Sequence, residues 1–316
     1  MKKNGFIGIL VAVLVIGAAP SLAAPAPILP APTRVSDHVY AWIGPHGPPN
    51  PENRGFRMNL AFVVGTQAVA VIETGYNEAM VNEMVAAIAH ITPVPIKYAI
   101  NSNSQPDRFL GNGAFRARGV SVLATPVEVA RMTAMGGMFA QGTENALKLS
   151  AGSITVPEAP DRLIDKETAL DLGGVTLRLH PMAAAHTPGP LVVEVVEDKV
   201  VYGGDVLYSG RLPAVVDGGN VGSWIEVFDS LTRFGDVTFI PGHGVPAKIE
   251  SFQFSTREYL STLHAHMKKM VDAGVDMQDA IERLDQSRFA KLENYEDLAR
   301  RNGNTAYREA EADSFK

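Results

Sequence analysis

The chain of 316 residues contains no cysteine. That absence removes disulfides, thiolate metal ligands, a cysteine nucleophile and a thiol for lipid attachment. Positive charge is also scarce: 28 Lys and Arg stand against 34 Asp and Glu, a formal net charge of -6, and no basic run offsets it. Nucleic acid is therefore not an expected partner. Beyond the amino-terminal segment no stretch approaches the roughly 18 continuous apolar residues of a membrane-spanning helix. The Gly-x-Ser-x-Gly elbow of serine hydrolases, the Gly-x-Gly-x-x-Gly dinucleotide fingerprint and the Gly-x-x-x-x-Gly-Lys phosphate loop are missing too.

What is present begins with Lys2 and Lys3, followed by an apolar run from about Phe6 to Gly17 and by Pro20-Ser21-Leu22-Ala23-Ala24. Charge, apolar run and small residues in that order predict a secretory signal peptide over residues 1–24, with cleavage near Ala23 or Ala24. The expected product is soluble and exported, secreted or periplasmic, with no membrane attachment after cleavage. Residues 25–56 read as a leader with a Pro/Gly/Asn loop from Gly44 to Gly55. The rest is long enough for one substantial core.

Periodicity then predicts an α/β domain. Leu60 to Val64 and Ala68 to Ile72, separated by Gly65-Thr66-Gln67, suggest a hairpin of buried strands. Glu78 to His90 has helical spacing, with Met80, Met84, Val85 and Ile88 on one face. Strand-like runs recur at Val120 to Ala124, Val175 to Leu179, Leu191 to Val196, Lys199 to Tyr202 and Val237 to Ile240. Pro126 to Leu149 is helix-prone but interrupted by Gly136-Gly137, with Met132, Met135 and Met138 expected mainly in the core. From about Ser251 to Lys316 the chain is helical and charged, with an apolar stripe of Tyr259, Leu260, Leu263, Met267 and Met270 that packs on the domain or on another copy.

Four short stations carry the chemistry. Asn103-Ser104-Gln105-Pro106-Asp107-Arg108 follows the strand Ile96 to Ile100; His186-Thr187-Pro188-Gly189, Gly203-Gly204-Asp205 and Pro241-Gly242-His243-Gly244 each end or follow a β-rich run. In this order, across residues 57 to 247, they resemble the metallo-β-lactamase superfamily, whose first station is His-x-His-x-Asp-His. The resemblance implies an αββα sandwich: a metallo-β-lactamase-like domain over residues 57–250, with a C-terminal helical extension over 251–316.

The resemblance also implies two metal positions. The first would fall to Asn103, Gln105 and His186, where the family has three histidines; the second to Asp107, Arg108, Asp205 and His243, where the family has a histidine in place of Arg108. Amide oxygens are weak zinc ligands, so the first position is lost. Asp107, Asp205 and His243 meet the minimum of three ligands for one zinc, or for another divalent metal. A single metal there, with His186 near it, would activate water for ester, lactam or amide hydrolysis, with Asp107 and His186 as the candidate proton-handling residues. The alternative is a catalytically silent binding or accessory protein in which the Arg108 guanidinium substitutes for the metal between Asp107 and Asp205. Either way the partner is a small molecule. Glu73, in Ile72-Glu73-Thr74-Gly75, occupies the place of a family aspartate that supports the metal loops, and is one methylene longer. The remaining histidines, His38, His46, His90, His180, His264 and His266, match no station.

Overall fold

The computed structural model describes residue 1 and residues 26–315. The expected signal peptide and its cleavage site lie outside the described residues. Among them, no helix is long and apolar enough to cross a membrane.

Two sheets form the centre. The first has seven strands in sequential order: β1 (Thr33–Arg34), β2 (Val39–Trp42), β3 (Leu60–Val64), β4 (Val69–Ile72), β5 (Ile96–Ile100), β6 (Ser121–Ala124) and β7 (Arg162–Leu163). The first four run antiparallel and β4 to β7 are parallel. The second sheet, ordered β12-β11-β10-β9-β8, is built from β8 (Thr168–Asp171), β9 (Thr176–Pro181), β10 (Leu191–Val195), β11 (Val200–Tyr208) and β12 (Thr238–His243). It is antiparallel except for the parallel pair β11 and β12.

Side chains that alternate along a strand explain how both faces of each sheet are buried. In β3, Ala61 and Val63 join Ala70, Ile72 and Ile100 in packing against Leu177, Leu179, Leu191 and Val193 of the other sheet. Leu60 and Phe62 point the other way, into a cluster with Met80, Met84, Ile88 and Phe115. That outer cluster is covered by α1 (Glu78–Ile91), the short α2 (Pro106–Phe109) and α3 (Asn112–Arg116), and α4 (Pro126–Leu147). The second sheet is covered by α5 (Val221–Ser230), α6 (Tyr259–Asp272), α7 (Met277–Glu282) and α8 (Tyr295–Ser314). The layers are therefore α, β, β, α, as the resemblance implied, and the C-terminal helices complete one of the outer layers. Tyr259, Leu260, Leu263 and Met267 are buried in that layer and Met270 packs at its edge.

The helix starts are set locally. Asn77 caps α1 by accepting from Met80 N, and Asn220 caps α5 by accepting from Ser223 N. One sequence expectation fails: Gly136-Gly137 does not interrupt α4, which runs unbroken for 22 residues. Gly136 is instead a packing position, where a Cβ would stand 2.6 Å from Val156 Cγ1. Each interior glycine costs a helix only about 1 kcal/mol, so tertiary packing prevails. Of the three methionines on this helix only Met132 is buried, while Met138 is 56% exposed.

Candidate functional site

The four stations meet at one end of the sandwich. Asn103 to Arg108 leave the end of β5 and enter α2; His186 lies between β9 and β10; Asp205 is within β11 and His243 ends β12. β11 and β12 pair in parallel, Gly204 with Pro241 and Tyr208 with His243, and the register shift between those pairs places Asp205 on a bulged stretch of β11 close to His243. Gly242 permits this approach, since a Cβ there would lie 2.2 Å from Asp205 Oδ1.

Arg108 is fully buried and spends its donors inward. Its Nε donates to Asp205 Oδ2 at 3.0 Å and its Nη2 to Asp205 Oδ1 at 2.7 Å, a two-point pair. Nη1 donates to the Asn59 carbonyl at 3.1 Å and Nη2 also reaches the Gly242 carbonyl at 3.3 Å. Asp107 Oδ1 stands 3.8 Å from Arg108 Nε. Burial works against the charged guanidinium, but Asp205 and then Asp107 outweigh it and hold Arg108 well above the ordinary arginine value. Burial likewise opposes ionisation of Asp205, and the Arg108 guanidinium overcomes this and keeps its carboxyl far below the usual carboxylate range.

Asn103 completes the set as an amide rather than an imidazole. Its Nδ2 donates to Asp205 Oδ2 at 2.8 Å, and its Oδ1 accepts from Gln105 N at 2.8 Å. His243 Nδ1 lies 3.0 Å from the Arg57 carbonyl, which can only accept, so that nitrogen carries the proton and Nε2 is the lone-pair nitrogen. Nε2 faces Arg108 Nη2 at 3.4 Å and Asp205 Oδ1 at 3.5 Å. Burial, then the nearby Arg211, pushes the His243 imidazole well below its ordinary value, and burial lowers His186 too. Both rings are neutral. His186 Nδ1 donates to the Ala214 carbonyl at 2.8 Å, which leaves its Nε2 without that bond.

This donor set does not fit a metal ion as it stands. Both oxygens of Asp205 are engaged by Arg108 and Asn103, the Asn103 oxygen is held by a backbone N–H, and the lone pair of His243 faces a guanidinium. Among the described residues, no three His, Asp or Glu side chains are placed to hold a metal together. Asp107, His186, Asp205 and His243 nevertheless border one cavity of about 530 Å³, with Gln105 at its wall.

The supporting shell was partly visible in the sequence. Glu73, with a left-handed φ of 69°, accepts from Ser102 N through Oε2 at 3.2 Å, so it does brace the first station. Its Oε1 has no hydrogen-bond partner among the described residues. Burial pushes this carboxyl up to about 8, against the opposing pull of Arg108, so Glu73 is protonated at neutral pH. Residues that sequence reasoning passed over are as important. Glu128, fully buried, accepts from Ser104 N at 2.9 Å and from Gly189 N at 2.8 Å, tying the first station to the second. Its only sequence signal was Thr125-Pro126-Val127-Glu128, a helix-capping spacing. Asn59 fastens the fourth station by donating from Nδ2 to the carbonyls of Pro241 and Gly244. The C-terminal extension also enters the cleft, where α8 supplies Asp297, Leu298 and Arg301.

Comparison with known proteins agrees with this geometry. A metallo-β-lactamase from Pontibacter korlensis superposes with a TM-score of 0.57 at 17% identity, covering 73% of this chain and 98% of its own. The metallo-β-lactamase IND-7 gives 0.57 at 15% identity, covering 75% of this chain and 96% of its own. VMB-1 gives 0.56 at 16%, covering 71% and 93%. At such identities the likeness shows the fold. None of the curated proteins compared with the sequence matches it. The sequence model of the metallo-beta-lactamase superfamily matches residues 54–243, from just before Arg57 to the histidine of the fourth station. With more than half of the chain matched and the sandwich around it, the protein belongs to the metallo-β-lactamase superfamily.

Proposed function

We propose that this protein is an exported, metal-free member of the superfamily that binds a small molecule in its cleft, with Arg108 supplying the positive charge that zinc would bring. The two-point pair between Arg108 and Asp205 carries this reading. A guanidinium is charged at every ordinary pH, and a zinc ion in the same place would have to displace it from a carboxylate it holds through two hydrogen bonds. Asn103 supports the same conclusion, because its amide presents N–H to Asp205 rather than a lone pair to a cation.

A second reading, the single-metal hydrolase, keeps one observation in its favour. His186 has its Nδ1 fixed by a backbone carbonyl, the arrangement that prepares an Nε2 ligand, and it shares the cavity with Asp107. On that reading zinc would sit with Asp107, Asp205 and His243 and would supply an acidified water. Metal analysis after incubation with excess zinc, together with assays on a chromogenic β-lactam and a nitrophenyl ester, separates the two. Metal-free binding predicts well below one zinc per chain and no chelator-sensitive hydrolysis. One tightly held zinc with hydrolysis lost to a chelator would establish the second reading instead.

A further inference from the structure

The cleft contains a second charged cluster that neither the four stations nor the Arg108 pair uses. Arg57 and Arg211 both line the cavity beside His243. Arg211 is only 2% exposed, yet it makes no ion pair with any described carboxylate. Its protein bonds are few and long: Nε to the Leu212 carbonyl at 3.2 Å and Nη1 to the His46 carbonyl at 3.4 Å. The approach of Nη1 to His243 Nδ1, at 3.5 Å, is not a bond, because that nitrogen already carries its proton toward the Arg57 carbonyl at 3.0 Å. Nη2 donates to no acceptor among the described residues. The Tyr208 ring lies 5.7 Å from the guanidinium carbon and adds a weak attraction.

The charge count points the same way. Of the carboxylates on the cavity wall, Asp205 is taken by Arg108, and Asp297 shares the exposed rim of α8 with Arg301. Two inner guanidiniums, Arg57 and Arg211, then face one remaining carboxylate, Asp107. A buried arginine without an anion is costly to fold around, and its fork of donors matches a carboxylate or phosphate.

We propose that Arg57 and Arg211 form an oxyanion subsite that receives the carboxylate or phosphate group of a small molecule. This rests on reading the cleft as a metal-free binding site. The cavity suits a ligand of small-molecule size, and the excess of one positive charge fits a single anionic group. Tyr208 and His186, which border the same space, would contact the body of the ligand beyond its anionic end.

Calorimetric titration of the protein with inorganic phosphate, phenyl phosphate, benzoate and neutral benzamide, at constant chloride-balanced ionic strength, tests the subsite. The expected result is that phenyl phosphate or benzoate binds and benzamide does not, the better of the two naming the anion. Arg211→Gln and Arg57→Gln should each weaken that binding by about ten-fold or more, the scale of a charge-assisted hydrogen bond. Arg34→Gln, whose ion pair with Asp37 is exposed and outside the cavity, should leave it unchanged. If Arg211→Gln does not fold, Arg57→Gln, at a half-buried position, carries the test. Equal binding of benzamide, binding unaffected by either arginine substitution, or no binding of any anion would overturn the subsite. Zinc bound stoichiometrically to the same preparation would overturn the metal-free reading and is scored separately.

Discussion

Arg108 and Asp205 hold each other through two parallel hydrogen bonds, 3.0 Å and 2.7 Å long, in the buried floor of the cleft. Each is the other's main counter-charge, and the rest of the site is arranged around them: Asn103 satisfies the second side of Asp205, while Asn59 and Gly242 receive the remaining guanidinium donors. Neither member can be removed alone without leaving the other's charge buried and without its main partner.

Acid should expose this dependence. Folding depresses the Asp205 carboxyl below its unfolded value of 3.8. A depressed carboxyl contributes stability that is fully present above the unfolded pKa and is lost as pH falls through the folded one. Urea unfolding should therefore show a contribution that is constant near neutrality and erodes below about pH 4. Asp205→Asn should remove that acid slope and cost about 3 to 5 kcal/mol at neutral pH, because Arg108 is left unpaired.

Glu73 should behave in the opposite sense. Its carboxyl rises from 4.5 to about 8 on folding, so the unfolded chain ionises first and stability falls as pH rises between those two values. Glu73→Gln keeps the shape without the charge. Its stability relative to the parent should increase by about 1.4 kcal/mol per pH unit between roughly pH 5 and pH 8. A difference independent of pH across that window would show that Glu73 is ionised in the folded protein.

Glu128→Gln tests the strap between the first two stations. One of the two N–H groups, of Ser104 or Gly189, would face an amide NH2 instead of an oxygen. The expected cost is about 1 to 3 kcal/mol in unfolding free energy. Amide hydrogen exchange should quicken at Ser104 and Gly189 in the variant, and unchanged exchange there would deny the strap.

The lost first metal position can be rebuilt. His186 already presents the appropriate tautomer, with Nδ1 bonded to Ala214. Asn103→His and Gln105→His together should create a three-histidine site that binds one zinc, whereas either substitution alone should not, since two ligands leave the site incomplete. Zinc titration with a competing chelator reads this directly.

The sandwich was legible because its signals are local and strong. The hairpin of β3 and β4 and helix α1 follow from period and turn residues, and the first, second and fourth stations end or follow strands as expected, whereas β11 runs on past Tyr202 to Tyr208 and carries Asp205 inside it. What sequence could not give was the direction of one side chain. Arg108 reads equally well as a neighbour of a metal or as its replacement, and only the packing of β5, β11 and β12 aims it at Asp205. Arg57 and Arg211 were invisible for a similar reason: each is an isolated arginine in its own segment, and they become a pair only when the segment before β3 and the loop after β11 meet beside His243. Glu128 was hidden inside a helix-start signal that fully accounted for it, and the packing role of Gly136 in α4 is set by Val156, twenty residues away.

Unfolding free energies of the parent protein and of Arg108→Ala, each measured with and without a strong chelator, decide whether Arg108 stands in place of the metal. Arg108→Ala should lose about 3 to 5 kcal/mol, and the chelator should leave the parent unchanged. A small loss in Arg108→Ala, accompanied by marked destabilisation of the parent by the chelator, would contradict that role.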